Sequence, residues 1–165
     1  MFLGGTIGNF HPEDAVGFLE SVHRGMRPGD MLLLGTDLVK DPARLEAAYD
    51  DAQGVTAEFN RNILRVVNRL VEGDFDPGRF RHRAFFDREA RWIEMRLVSE
   101  REQTVRLPAI DLTFELETGE EILTEISAKY DRPRVETLLT RAGYELLDWY
   151  TDPEELFALS LSRRV

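Results

Sequence analysis

Cysteine is absent from all 165 residues. That excludes disulfides, a thiolate nucleophile and sulfur-ligated zinc, and nothing points to an oxidising compartment, so the chain reads as cytoplasmic. Long apolar runs are also missing. None approaches the roughly 20 residues needed to span a bilayer, and the first residues lack a charged stretch leading into a signal core. Basic residues are in deficit, 21 Lys and Arg against 31 Asp and Glu, for a formal net charge of −10. A phosphate-tracking surface needs the opposite balance, so neither nucleic acid nor a membrane is an expected partner. His11, His23 and His82 have no metal-ligand spacing, and no G-x-S-x-G run occurs, so no metal site or hydrolase site is expected. His82 reads as structural. The hydrophobic share of 42% suffices for one core in a chain of this length.

The opening Met1-Phe2-Leu3 reads as a short buried strand that runs into a glycine-rich turn, Gly4-Gly5-Thr6-Ile7-Gly8-Asn9. Pro12, Glu13 and Asp14 start a helix, because proline fits its first turn and the acids meet the positive end of its dipole. Its buried face is Val16, Leu19, Val22 and Met26. Met31-Leu32-Leu33-Leu34, apolar on both faces, suits a strand of a parallel sheet and ends at Gly35-Thr36-Asp37. A helix with Leu45, Ala48 and Tyr49 follows Asp41-Pro42, then a longer one with Phe59, Ile63, Val67 and Leu70 as its predicted stripe. From about Arg81 to Lys129 the period changes to two, with Ile93, Met95 and Leu97, then Leu112, Phe114 and Leu116, on the apolar side. That pattern predicts an antiparallel sheet with one wet face. A last helix carries Val135, Leu138 and Leu139 after an Asp131–Pro133 cap, and two strands, 144–150 and 156–162, are expected to pair.

Polar groups gather at two strand ends, where open α/β sheets place their ligands. The turn 4–9 lets backbone approach a ligand closely, and Asn9 is either a ligand contact or a cap for the helix that follows. Asp37 is either a contact or a solvated loop acid. The Tyr49 hydroxyl points into the same crevice, or the ring packs with a wet tip. On the strand Ile122-Leu123-Thr124-Glu125-Ile126-Ser127, alternation puts Glu125 and Ser127 on one face, about 7 Å apart. A core-facing Glu125 would need a partner such as a substrate nitrogen; otherwise Ile122, Thr124 and Ile126 face the core and Glu125 is solvated.

Three stretches, Phe2-Leu3-Gly4-Gly5-Thr6-Ile7-Gly8-Asn9-Phe10, Leu34-Gly35-Thr36-Asp37-Leu38-Val39-Lys40-Asp41, and Ala48-Tyr49-Asp50-Asp51-Ala52-Gln53-Gly54-Val55-Thr56 with Phe59-Asn60, resemble the histidine N-alpha-methyltransferase family of ergothioneine biosynthesis. Ile93-Glu94-Met95, Gly119-Glu120-Glu121, Thr124-Glu125-Ile126-Ser127 and Lys129-Tyr130 continue the resemblance in order along nearly the whole chain.

The resemblance implies an α/β fold, a partial class I (Rossmann-like) methyltransferase sheet with an inserted antiparallel substrate-binding region. Residues 1–80 and 131–165 are then core, and 81–130 the insertion. It implies S-adenosylmethionine as methyl donor and L-histidine as acceptor, hercynine being the product. Asn9 and Tyr49 correspond to residues that hold the carboxylate and amine end. Glu125 and Ser127, flanking Ile126, correspond to those that hold the imidazole, and Met95 to an apolar lining position. Gly4, Gly5 and Thr6 are the expected cofactor contacts. The family's main cofactor loop, the acid that holds the ribose and further substrate tyrosines fall upstream of Met1, so the missing N-terminal half of the domain is an expected partner and the chain alone is expected to be inactive. A catalytic base is not identifiable. The rival readings are an N-methyltransferase for another amino acid, such as a tryptophan derivative, and a noncatalytic amino-acid-binding module.

Overall fold

The computed structural model describes every residue from Met1 to Val165. The chain divides into two compact units, one made of Met1–Asp41, Asp87–Ile93 and Ile126–Val165, the other of Pro42–Phe86 and Glu94–Glu125.

In the first unit a 3-10 turn, Thr6–Asn9, leads to α1, Pro12–Arg24. Pro12 stands in the first turn with Glu13 and Asp14, while His23 and Arg24 close the last, so both ends suit the helix dipole. Strand β1 spans Met31–Asp37. Toward the end of the chain this unit adds α4, Arg132–Arg141, then β7, Tyr144–Thr151, and β8, Phe157–Arg164. The Asp131 carboxylate caps α4 by accepting from Arg134 N at 2.9 Å. The sheet order is β1-β8-β7. β7 and β8 pair antiparallel as expected, with a bulge between Leu146 and Asp148.

β1 also pairs antiparallel with β8, Leu34 opposite Ser160, and its parallel partner is a single bridge from Phe2 to Leu34. The expected opening strand is thus one residue of pairing, held by Phe2 N to Leu33 O and Gly35 N to Phe2 O, each 2.9 Å. A continuous apolar run reports burial on both faces. It does not report the direction of a neighbour far along the chain. Leu32, Leu34, Val16, Leu19, Val135 and Leu139 meet in this unit's core.

The second unit holds α2, Pro42–Tyr49, and α3, Val55–Val71. Its strands are β2, Phe80–Asp87, β3, Trp92–Ser99, β4, Gln103–Leu107, β5, Leu112–Leu116, and β6, Glu121–Ala128, of which β2, β3 and β6 run on into residues assigned to the first unit. The order is β2-β3-β6, beside a separate antiparallel pair β4-β5.

The inward face of α3 is Asn60 and Leu64, with Val67 and Val71 packed on the same core. The predicted stripe began one residue early: Phe59 is 62% and Leu70 73% exposed. One residue turns a helix by about 100°, and a polar residue, Asn60, occupies a place that an apolarity count passes over. On β3 both faces are covered, since Glu94 and Ser99 are buried along with Ile93, Met95 and Leu97, so the wet face expected there is absent.

Candidate functional site

In the first unit the glycine turn closes over the carboxyl end of β1. Gly4 and Gly5 have φ of 80° and 71°, left-handed values at which L side chains are strained. A Cβ on Gly5 would stand 3.8 Å from Asp37, whereas one on Gly4 would meet only Thr6 Oγ1. The backbone of Gly4 is therefore open to an approaching group. Gly8 has no such room. Its Cβ would lie 2.8 Å from Ala128 O, so only glycine lets this turn lie against the end of β6. Asn9, the next residue, is exposed at the end of the turn. Asn9 does not cap α1; His11 occupies the cap position, with no side-chain capping bond.

Ser127 is 6% exposed, and its Oγ accepts from Lys129 Nζ at 2.8 Å. Lys129 is fully buried and forms an ion pair with Asp37 Oδ2 at 2.9 Å, while Asp37 Oδ1 accepts from Lys40 at 2.5 Å. Asp37 is thus neither a solvated loop acid nor a lone contact but the anchor of two ammonium groups. The adjoining backbone zips the same place together: Tyr130 N donates to Asp37 O, and Val39 N to Tyr130 O, each at 2.9 Å. Burial pushes the Tyr130 phenol up, against a smaller opposing pull from Arg134, whose guanidinium lies over the ring.

In the second unit Tyr49 is the last residue of α2, half-buried, and its carbonyl accepts from His82 Nε2 at 2.8 Å. A carbonyl only accepts, so that nitrogen carries the proton, and His82 Nδ1 then accepts from Asn60 Nδ2 at 3.0 Å. Asn60 also donates to Arg96 O. The structural reading of His82 holds, and its role is to hold the end of α2. Met95 is 2% exposed, and its carbonyl accepts from Thr124 Oγ1 at 2.9 Å. Along β6, Ile122 packs on the core, Leu123 is exposed, Thr124 and Glu125 are both half-buried, and Ile126 and Ser127 are both buried, so neither expected alternation holds along the whole strand. Arg96 binds Glu94 and Glu121, and Arg83 joins Glu121, with both guanidiniums near the Phe85 ring. The hydrogen bond from Arg83 is the largest of the causes that hold the Glu121 carboxyl below its usual range.

Asn9 and Ser127 thus lie in the first unit, each next in sequence to a residue of the Gly8–Ala128 contact, while Tyr49, Met95 and Glu125 belong to the second. The buried ion pair of Lys129 is not evident from the sequence alone. Its signal was a lysine two positions past Ser127, on the same side of the strand, in a chain whose buried strand β1 ends in an acid.

A glycine turn at the end of β1, beside a buried Ser–Lys–Asp chain, gathers polar groups at the carboxyl end of a strand, the place where open α/β enzymes keep their ligands. The chain belongs to the histidine-specific, S-adenosylmethionine-dependent methyltransferase family, whose profile matches residues 1–164. It is 49% identical over 164 residues to a histidine N-alpha-methyltransferase of Mycobacterium tuberculosis, covering 99% of this chain and 51% of that protein. An ergothioneine biosynthesis protein 1 of Neurospora crassa is 32% identical, covering 99% of this chain and 18% of its own length. An L-tryptophan methyltransferase of Psilocybe serbica is likewise 32% identical, over 87% of this chain and 40% of that protein. The chain spans about half the length of the bacterial relative.

Proposed function

We propose that this chain is part of an enzyme that moves methyl groups from S-adenosylmethionine to the alpha-amino group of L-histidine, forming hercynine, and that it acts in the cytoplasm. The observation that carries the reading is the 49% identity, along 99% of the chain, to a protein named for that activity. The site residues support it. Asn9 has an amide suited to a carboxylate or amine, Met95 offers an apolar wall, and Glu125 and Ser127 share one face of β6 with an acceptor and a hydroxyl for the two ring nitrogens. Tyr49 serves the same end of the substrate as Asn9, and Ile126 lies between the two imidazole contacts.

When bound, S-adenosylmethionine supplies an electrophilic methyl group. The residues of this chain hold the amino acid by both ends so that the amine lone pair is aimed, and most of the rate gain comes from that positioning. The amine must lose its proton before it attacks, and no residue here stands out as the base. Gly4, Gly5 and Thr6 contribute an edge of the cofactor site, and its main loop belongs to the half of the relatives' length that this chain does not span.

The test is transfer of a labelled methyl group to histidine. The protein as its own gene encodes it is expected to turn over, whereas residues 1–165 alone are expected to show nothing above a no-protein control. Turnover by residues 1–165 would reveal a complete cofactor site among them. Tryptophan is the second substrate to try, because of the 32% identity to an L-tryptophan methyltransferase. A kcat/KM higher for tryptophan than for histidine would replace the histidine reading.

A further inference from the structure

We propose that the first unit carries a binding site for a small organic carboxylate in the cleft between α1 and α4, with Arg134 as the residue that takes the anion.

The cleft has a volume of about 380 Å³, within the usual range for small-molecule sites, and every residue that lines it belongs to the first unit. Phe10, Ala15, Val16 and Leu138 give it an apolar wall, the last three of them buried. Such a wall suits the apolar body of an organic ligand and gives a bare inorganic ion nothing. Three guanidiniums, those of Arg91, Arg134 and Arg141, share the lining with one carboxylate, Asp131. That balance is local, because the chain as a whole carries a formal charge of −10. A concave patch of the opposite sign focuses its field on the cleft.

Two of the three cations already have carboxylate partners. Arg91 Nη1 donates to Asp131 Oδ2 at 2.7 Å, and Arg141 pairs with Glu13 of α1 at 2.6 Å. Arg134 differs. Its Nη1 donates to Lys129 O at 3.0 Å and, at longer range, to the carbonyls of Ala90 and Arg91, but no carboxylate binds its guanidinium, and its Nε and Nη2 have no protein acceptor. Asp131 is committed elsewhere, since its Oδ1 accepts from the Arg134 backbone N at 2.9 Å and its Oδ2 from Arg91. The guanidinium lies over the Tyr130 ring, 5.2 Å from its centre, which fixes it in place. Burial is the largest of the causes that hold Arg134 below its usual range, and the Arg91 charge adds to it, against opposing pulls from Tyr130 and Asp131. Nε and Nη2 lie along one edge of a guanidinium, the edge that receives a carboxylate through two parallel hydrogen bonds. An anion seated there would supply the counter-charge that the fold leaves out. The lining shares no residue with the set proposed to hold histidine, and this site does not depend on that reading.

The experiment is calorimetry on the protein as its own gene encodes it, with histidine at saturation so that an amino-acid site is already filled, and phenylacetate as the probe. Phenylacetate is expected to bind at one site. Phenylacetamide, the same ring without the charge, is expected to bind about tenfold more weakly or less, because the charge-assisted pair is lost. Arg134→Gln is expected to weaken phenylacetate binding about tenfold while the affinity for histidine stays within about twofold of wild type. Thr137→Trp, at an exposed position of the lining, fills the cleft and leaves Arg134 in place. It is expected to abolish phenylacetate binding, and it stands in for Arg134→Gln if that variant does not fold. No binding of phenylacetate, equal affinity for the amide, or tighter binding of inorganic phosphate than of phenylacetate would each overturn the proposal. So would a phenylacetate affinity that either variant leaves unchanged.

Discussion

At the scale of single residues, Asn9 and Glu125 separate binding from framework. Asn9 is exposed and caps nothing, so its amide has no framework duty that would explain a loss on substitution. Asn9→Ala in the complete enzyme is expected to weaken histidine binding by about 1.5–3 kcal/mol, the worth of a hydrogen bond to a charged group. An unchanged KM for histidine would remove Asn9 from the site. Glu125 stands half-buried on the same strand face as Ser127. Glu125→Ala is expected to lower kcat/KM for histidine more than for phenylalanine or tryptophan, because only the imidazole loses a partner. Should both substrates fall by the same factor, the glutamate is framework. Much of this residue set was legible in the sequence through its resemblance to a family, whereas alternation alone left the direction of Glu125 open. Lys129 was legible only as a residue type, because its importance comes from Asp37, which folding brings to it from far along the chain.

Secondary elements carry their own tests. Gly8→Ala would push a methyl group to within 2.8 Å of the Ala128 carbonyl, a backbone atom that cannot swing aside. The turn must then lift from β6, so the variant is expected to melt at a lower temperature and to bind histidine more weakly. Retention of both properties would mean that the turn is not seated as described. The start of α3 offers a pH test. Asp51 accepts from Thr56 N at 2.7 Å and Val55 N at 3.1 Å, and these bonds, those from Thr56 foremost, bring its carboxyl down from 3.8 to about 2. A depressed folded value means that this stabilisation is whole above about 3.8 and fades as the pH falls toward about 2. Asp51→Asn is therefore expected to flatten the pH dependence of stability across that window and to leave it unchanged near neutrality in slope. A carboxyl NMR titration of Asp51 near its ordinary value would contradict these two hydrogen bonds. The helices show what periodicity can and cannot give. α1 and α4 lie where capping signals and apolar spacing put them, but α3 is rotated by one residue because buried Asn60, bonded to His82 and Arg96, counts as polar in any such pattern.

For the molecule as a whole, the surplus of acids over bases is spread across both units, while one positive charge, that of Lys129, is wholly buried. The change of rhythm after residue 80 was visible as period-two alternation. The packing of α3 with Phe80, Leu97 and Val105 was not, because an amphipathic stripe does not name its partner.

The pairing of β1 with β8 has a consequence in time. Asp37 lies opposite Phe157, so the last register pair of β1 joins residues made far apart during synthesis. At about 5–20 residues per second, a ribosome leaves β1 on the order of ten seconds before its partner exists. In that interval Leu32 and Leu34 belong to a nascent strand with no β8 to cover its edge. The second unit's residues, all made in between, are complete by then. The growing chain is therefore expected to acquire its protease-resistant folding intermediate around α3 and β2 to β5 first, while the glycine turn, Asp37 and Lys129 are the latest parts of the protein to take their places.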